Sequence, residues 1–227
     1  MVLTYLANIG RYIPELLCVL TMIGLLFVES TYDEKEEKRP LFYSAAFTGL
    51  LVAFFTLMSM IGDNPTNIFT GAVVIDPFST VIKMIMILGT IGTIYLSKES
   101  RDVYGHMKSE YSIMAVGVLI GGMILTSANN MLMMHIGVET LSILSYSMAA
   151  FKKNEEKSSE AGLKYVLYGG ISSGLMLFGL SHIFGMLGTI QFSGIAPKLQ
   201  ELEAYQMAIL APSFLFFFAG LGYKIAC

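Results

Sequence analysis

Cysteine and charge are what this chain has least of. Only two of its 227 residues are cysteine, Cys18 and the last residue, Cys227, which excludes a secreted disulfide scaffold. Charged residues make up 14% of the sequence, against about a quarter in soluble domains. The net charge is −3 and no basic cluster is interleaved with aromatics, which excludes nucleic-acid binding. There is no Cys-x-x-Cys, so an iron–sulfur cluster or c-type haem has no housing. Neither G-x-G-x-x-G nor G-x-x-x-x-G-K-[ST] occurs, which argues against nucleotide binding by this chain. His135 and His182 are weak evidence for a b-haem, because they sit at unmatched depths of their apolar runs.

Apolar surface is what the chain has in excess. Hydrophobic residues make up 55%, with 16 Met, 15 Phe and 22 Gly, and the mean hydropathy is +0.66. No water-soluble fold of this size hides so much. Seven runs, at 9–28, 41–61, 77–96, 111–127, 129–150, 164–187 and 206–227, each approach the roughly 20 residues that about 30 Å of hydrocarbon requires. They are too long for barrel strands and do not alternate. In lipid a helix pairs its own backbone groups, so helices are expected. The first run lacks a small-residue cleavage site and more spans follow, so it is not a removable signal peptide. The expected fold is all-α, a polytopic transmembrane bundle of about seven spans.

Nine basic residues fall in alternate loops: Lys35, Lys38 and Arg39; Lys98, Arg101 and Lys108; Lys152, Lys153 and Lys157. The other side has Arg11 and Lys198. The positive-inside rule then places the rich loops in the cytoplasm and the N-terminus outside, in the periplasm. Three of the fourteen Lys/Arg remain, Lys83, Lys164 and Lys224, each in a span or at its edge. Among the acids, Glu139 lies mid-span and Glu15 near the outer end of the first span. A charge at bilayer depth costs at least about 2.5–3.5 kcal/mol on insertion scales, and usually marks an ion or proton path.

Glu139 has His135 one turn before it on the same face, and Thr140, Ser142, Ser145 and Tyr146 supply hydroxyls around it. It reads either as a titratable carboxylate beside a hydrated path or as half of a structural ion pair. Lys224 follows Gly220 and Gly222, which loosen the helix. It reads as a proton carrier in a broken helix or as a lysine snorkelling to the interface. For Lys164 and Lys83 snorkelling is the cheaper explanation. His182 reads as an interhelical hydrogen-bonder, and His106 as an inert loop residue. Gly117-x-x-x-Gly121 and Gly170-x-x-x-Gly174 permit close helix contact.

Taken in order, several stretches resemble one family. They are Asp76-Pro-Phe78, Glu139-Thr-Leu-Ser-Ile-Leu-Ser-Tyr146, Ser159-Glu-Ala-Gly-Leu-Lys-Tyr165, Gly170-Ile-Ser-Ser-Gly174, Gly185-Met-Leu-Gly-Thr189 and Gly220-Leu-Gly-Tyr-Lys224. From about residue 70 onward the chain is similar to the N-terminal half of the antiporter-like subunit N of bacterial NADH:quinone oxidoreductase, respiratory complex I, whose mitochondrial counterpart is subunit 2. Residues 1–69 agree in hydropathy and spacing only.

The resemblance implies that Glu139 of the fifth span pairs with Lys224 of a broken seventh span. It also implies that Lys164 joins the same buried polar axis; His135, Lys83 and His182 are secondary polar candidates. By likeness, the chain is a multi-pass inner-membrane subunit of a translocase, working beside other membrane-arm and antiporter-like subunits. It would bind no cofactor itself, with NADH, FMN, iron–sulfur clusters and quinone held elsewhere in the complex. The expected organisation is residues 1–110 as the first three transmembrane helices and 111–227 as the start of the proton-translocating repeat. Family members are about twice this long, in two inverted halves, so the chain looks like a fragment or truncated product. Two other readings stand beside this one: a cation/proton antiporter subunit, and a non-pumping membrane piece.

Overall fold

A computed structural model describes residues 10–31, 38–100, 107–152 and 154–225. Lys35, Arg101, His106, Lys153 and Cys227 lie outside the described residues. The elements in chain order are α1 (Ile13–Thr31), α2 (Lys38–Ser59), β1 (Thr66–Ile68), β2 (Val73–Ile75), α3 (Pro77–Glu99), α4 (Met107–Thr126), α5 (Met131–Ala149), α6 (Glu156–Leu187), α7 (Phe192–Gln200) and α8 (Ala204–Lys224). The all-α membrane architecture holds. Six helices, α1 to α4, α6 and α8, are long and apolar enough to cross a bilayer. The seventh expected span, α5, has 19 residues but is too polar to qualify on apolarity alone, because His135, Glu139 and its hydroxyls lie along it. It is packed between α4 and α6.

Local sequence sets the helix ends. Asp76 Oδ1 accepts from the Ser79 amide at 2.7 Å and Ser79 Oγ accepts from the Asp76 amide at 3.1 Å, with Pro77 opening α3. That is a reciprocal cap with proline where its missing N–H is harmless. Asn130 caps α5 by accepting from the Met133 amide at 2.7 Å. α6 stops at Gly188, whose φ of 67° suits a residue without Cβ. With 32 residues, α6 begins two turns before the expected position 164 and is about 48 Å long at 1.5 Å per residue.

Two elements were not expected. Between α2 and α3 the chain forms a short antiparallel hairpin, Thr66 opposite Ile75 and Ile68 opposite Val73, around a turn with positive φ at Phe69, Thr70 and Gly71. The second is the short helix α7. The hairpin joins the neighbouring connections. The Val74 amide donates to the Ser127 carbonyl at 2.9 Å, the Asn129 amide to the Ala72 carbonyl at 2.9 Å, and the Met131 amide to the Ile190 carbonyl at 3.0 Å. The connections after α2, α4 and α6 therefore meet at one end of the bundle, here called the hairpin end. This is the alternation that the loop charges imply.

Two apolar clusters hold the helices. One joins Cys18 and Leu25 of α1, Leu50 and Leu57 of α2, Ile87 and Ile94 of α3 and Met123 of α4. The other joins Met131 of α5, Met176, Leu180 and Ile183 of α6 and Leu210 and Phe217 of α8. Small residues set how closely helices approach. A Cβ on Gly121 would lie 2.9 Å from the Leu141 amide nitrogen, so this glycine brings α4 against α5 as expected. Gly170 and Gly174 face open space instead. On α6 the tight contacts with α8 come from Gly179, where a Cβ would lie 2.4 Å from the Ser213 carbonyl, and from Ser172 facing Gly220 of α8. Helical rotation puts Gly170 and Gly174 on a different face from Ser172, Met176 and Gly179.

Gly179→Val therefore forces α6 from α8, and the expected cost is about 1–3 kcal/mol of unfolding free energy in detergent. Gly174→Val, in open space, is expected to stay within about 0.5 kcal/mol of the parent.

Candidate functional site

Lys224 is the last residue of α8, where a cation is favoured by the carbonyl end of the helix dipole. Its side chain is only 7% exposed, too deep for snorkelling. It reaches α5, donating to Ser142 Oγ at 2.8 Å and Tyr146 Oη at 2.9 Å. Glu139 Oε1 lies 3.3 Å from the ammonium but is not aligned as a hydrogen-bond acceptor. Charge attraction joins those two, while the hydroxyls take the directional bonds. Residues 139, 142 and 146 recur at helical spacing, so a single face of α5 carries all three.

The hydroxyls are held in place from behind. Ser142 Oγ donates its own proton to the Val138 carbonyl at 2.7 Å, which leaves lone pairs for Lys224. Tyr146 occupies a gap that Gly169 of α6 leaves open: a Cβ there would come within 2.0 Å of the phenol oxygen. The ring meets Tyr165 edge-on at 4.7 Å. Ser172 Oγ donates to the Gly220 carbonyl at 2.7 Å, fixing α8 to α6 one turn before Lys224. Gly220 thus serves close packing, and α8 runs unbroken to Lys224. Thr140 and Ser145 turn back to their own helix, donating to the Ile136 and Leu141 carbonyls.

His135 is buried one turn before Glu139, its Nδ1 without a hydrogen-bond partner. The charges of Glu139 and Lys224 both act on it. The other candidates stand elsewhere. The Lys164 side chain is 65% exposed and pairs with Glu160 of its own helix, so the described residues do not bring it to the Glu139–Lys224 couple. His182 is exposed, its ring 4.5 Å from that of Phe178, a contact within α6 rather than between helices. Lys83 corrects the snorkelling expectation: it is 1% exposed and bonds to Glu15, itself 3% exposed. Glu15 had been noted in the sequence, but not as its partner, because the two are 68 residues apart. Among the described residues no three His, Cys, Asp or Glu side chains gather to hold a metal ion.

The fold and site define a class by architecture, a polytopic helical membrane bundle with a carboxylate–ammonium couple between two of its helices. Residues 128–227 match the family described as NADH:quinone oxidoreductase/Mrp antiporter, TM. Over nearly the whole chain, the sequence is 30% identical to NADH-quinone oxidoreductase subunit N of Magnetococcus marinus, covering 96% of this chain and 45% of that protein. It is 33% identical to subunit N of Geobacillus kaustophilus, covering 94% and 42%. The fold is that of a chain in respiratory complex I from Thermus thermophilus with bound aureothin, at a TM-score of 0.71 and 21% identity over 92% of this chain and 43% of that one. A chain of the archaeal membrane-bound sulfane sulfur reductase is also similar, at 0.75 and 16% identity over 95% and 44%. The chain is thus similar along nearly its whole length to the N-terminal half of subunit N, and its residues 128–227 match the family model. It spans a little under half the length of the curated relatives it matches.

Removing the phenol by Tyr146→Phe takes an acceptor from a buried ammonium, and the expected cost is about 1.5–3 kcal/mol of stability. Gly169→Ala displaces the same phenol. A double-mutant cycle by chemical denaturation should therefore find the two effects strongly non-additive.

Proposed function

We propose that this chain carries a proton-translocating element of a bacterial NADH:quinone oxidoreductase, seated in the inner membrane as a multi-pass subunit. The observation that carries the reading is Lys224, buried and joined to Glu139 across two helices. While the carboxylate stands beside it, the ammonium keeps its proton. When a conformational change in the complex separates the two, the isolated charge is disfavoured in the apolar interior and the proton leaves. Ser142 and Tyr146, hydrogen-bonded to the ammonium, are placed to receive or relay it.

Residues 111–227 form the working unit in this proposal, and residues 1–110 support it. Lys164 joins the same polar axis in the assembled complex, and His135 extends that axis toward the hairpin end. Lys83 and His182 are secondary. NADH, flavin, iron–sulfur and quinone chemistry belongs to other subunits, with membrane-arm and antiporter-like subunits as neighbours. The connections with few basic residues face the periplasm. A cation/proton antiporter is a rival, because the matching family covers both kinds of machine. The named relatives support the oxidoreductase.

The test is Glu139→Gln in the assembled complex, in sealed vesicles oxidising NADH. The expected result is fewer protons moved per electron pair with the complex intact. An unchanged stoichiometry overturns the assignment.

A further inference from the structure

Glu15 and Lys83 are among the most deeply buried polar side chains of the chain, and they lie on helices that contribute nothing to the Glu139–Lys224 couple. Glu15 is in the first turn of α1, and Lys83 is six residues into α3, about 9 Å along its axis. Both lie near the hairpin end. Arg11 fastens the start of α1 there, donating to the Asn64 carbonyl at 2.9 Å and to Thr66 Oγ1 at 3.0 Å. Tyr12 packs beneath Ile68, Val73 and Ile75 of the hairpin and meets the Phe69 ring edge-on at 5.4 Å. Burial, and then the Glu15 charge, push the Tyr12 phenol up to about 12, so it stays protonated.

Three features exceed what a clamp between helices needs. Two apolar side chains would join α1 to α3 at least as well, because a buried ion pair rarely out-stabilises a packed apolar pair. Glu15 keeps one carboxylate oxygen buried with no hydrogen-bond partner, an unmet acceptor that a purely structural pair gains nothing by holding. Finally, Lys83 shares one buried face of α3 with the hydroxyls of Thr80, toward the hairpin, and of Thr90 and Ser97, away from it, with Ile87 and Ile94 between them. The Ser112 hydroxyl of α4 lies 3.5 Å from that of Ser97.

From this we infer that Glu15 and Lys83 form a second protonatable couple that passes protons to water at the hairpin end. In the transfer, an N–H bond of the Lys83 ammonium breaks and an O–H bond forms on Glu15, leaving a neutral amine and a neutral acid. The acid then gives its proton to water at the hairpin end. The amine is reprotonated from the side facing the opposite end, where the buried hydroxyls of Thr90, Ser97 and Ser112 lie. This inference rests on the proton-translocating reading of the whole chain.

The decisive comparison is made in the assembled complex in sealed vesicles. Lys83→Arg retains the ion pair but carries a charge that cannot be given up; Glu15→Leu with Lys83→Met replaces the couple by apolar packing. Each form is read for assembly, NADH oxidation and protons moved per electron pair, with Glu139→Gln alongside. The expected result is an assembled complex that loses roughly half or more of its proton yield with Lys83→Arg and with the apolar double variant. A normal yield in either assembled form makes the couple a clamp and overturns the inference, as does failure of both forms to assemble. A lowered yield in Glu139→Gln alone leaves the wider reading standing without this part. Normal yields in all three remove the wider reading as well.

Discussion

The structure is organised by the requirement that no ammonium be left alone in an apolar interior. Lys224 has three oxygen partners, all on one face of α5. To present that face, α5 must carry hydroxyls and a carboxylate where a lipid-facing span would carry leucine. This is why α5 is packed between neighbours and is the least apolar of the expected spans. Its exposure is taken up by α4 on one side, through Gly121, and by α6 on the other. The glycines and Ser172 that bring α6 against α8 then fix where Lys224 arrives. Packing and electrostatics are a single arrangement here, since filling the Gly169 niche or breaking the Ser172–Gly220 bond would move the hydroxyls or the ammonium.

The same demand is met differently at Lys83. There the partner is one carboxylate, close to the end of the bundle, and both groups are almost fully buried. The Glu139 side chain, at 26% exposure, is the more open of the two acids. A couple with hydroxyl partners and an open edge suits exchange with other groups of a larger assembly. A couple buried near one end of the bundle suits controlled release there. Many large apolar side chains remain exposed on the bundle surface, including Phe27, Phe55, Phe78, Leu96 and Leu215, as expected of a chain surrounded by lipid or other apolar partners.

Much of this was legible in the residues. Long apolar runs forced helices, the rarity of charge inside them singled out Glu139 and Lys224, and four hydroxyls stood out around Glu139, of which Ser142 and Tyr146 meet Lys224 while Thr140 and Ser145 bond their own helix. The rest was settled by contacts distant in sequence. Nothing local marks Glu15 as the partner of Lys83, and proximity to a span end made snorkelling the simpler account. Gly170 and Gly174 have the right spacing for helix contact, yet the rotation of α6 turns Gly169, Ser172 and Gly179 inward. The hairpin is made of three-residue strands without the length or alternation that would announce them. Lys164 sits on a face of α6 that the described residues leave open and pairs there with Glu160 of its own helix, away from the couple.

The central claim is that the Glu139 carboxylate and the Lys224 ammonium act on each other at close range. Infrared difference spectroscopy of the intact complex tests it directly, comparing Lys224→Met with the same change made together with Glu139→Gln. A carboxylate that loses a neighbouring counter-charge takes up a proton more readily. The account therefore predicts a new protonated-carboxyl band in Lys224→Met that is absent when Glu139 is also replaced. If no such band appears, the two charges do not govern each other and the account is contradicted.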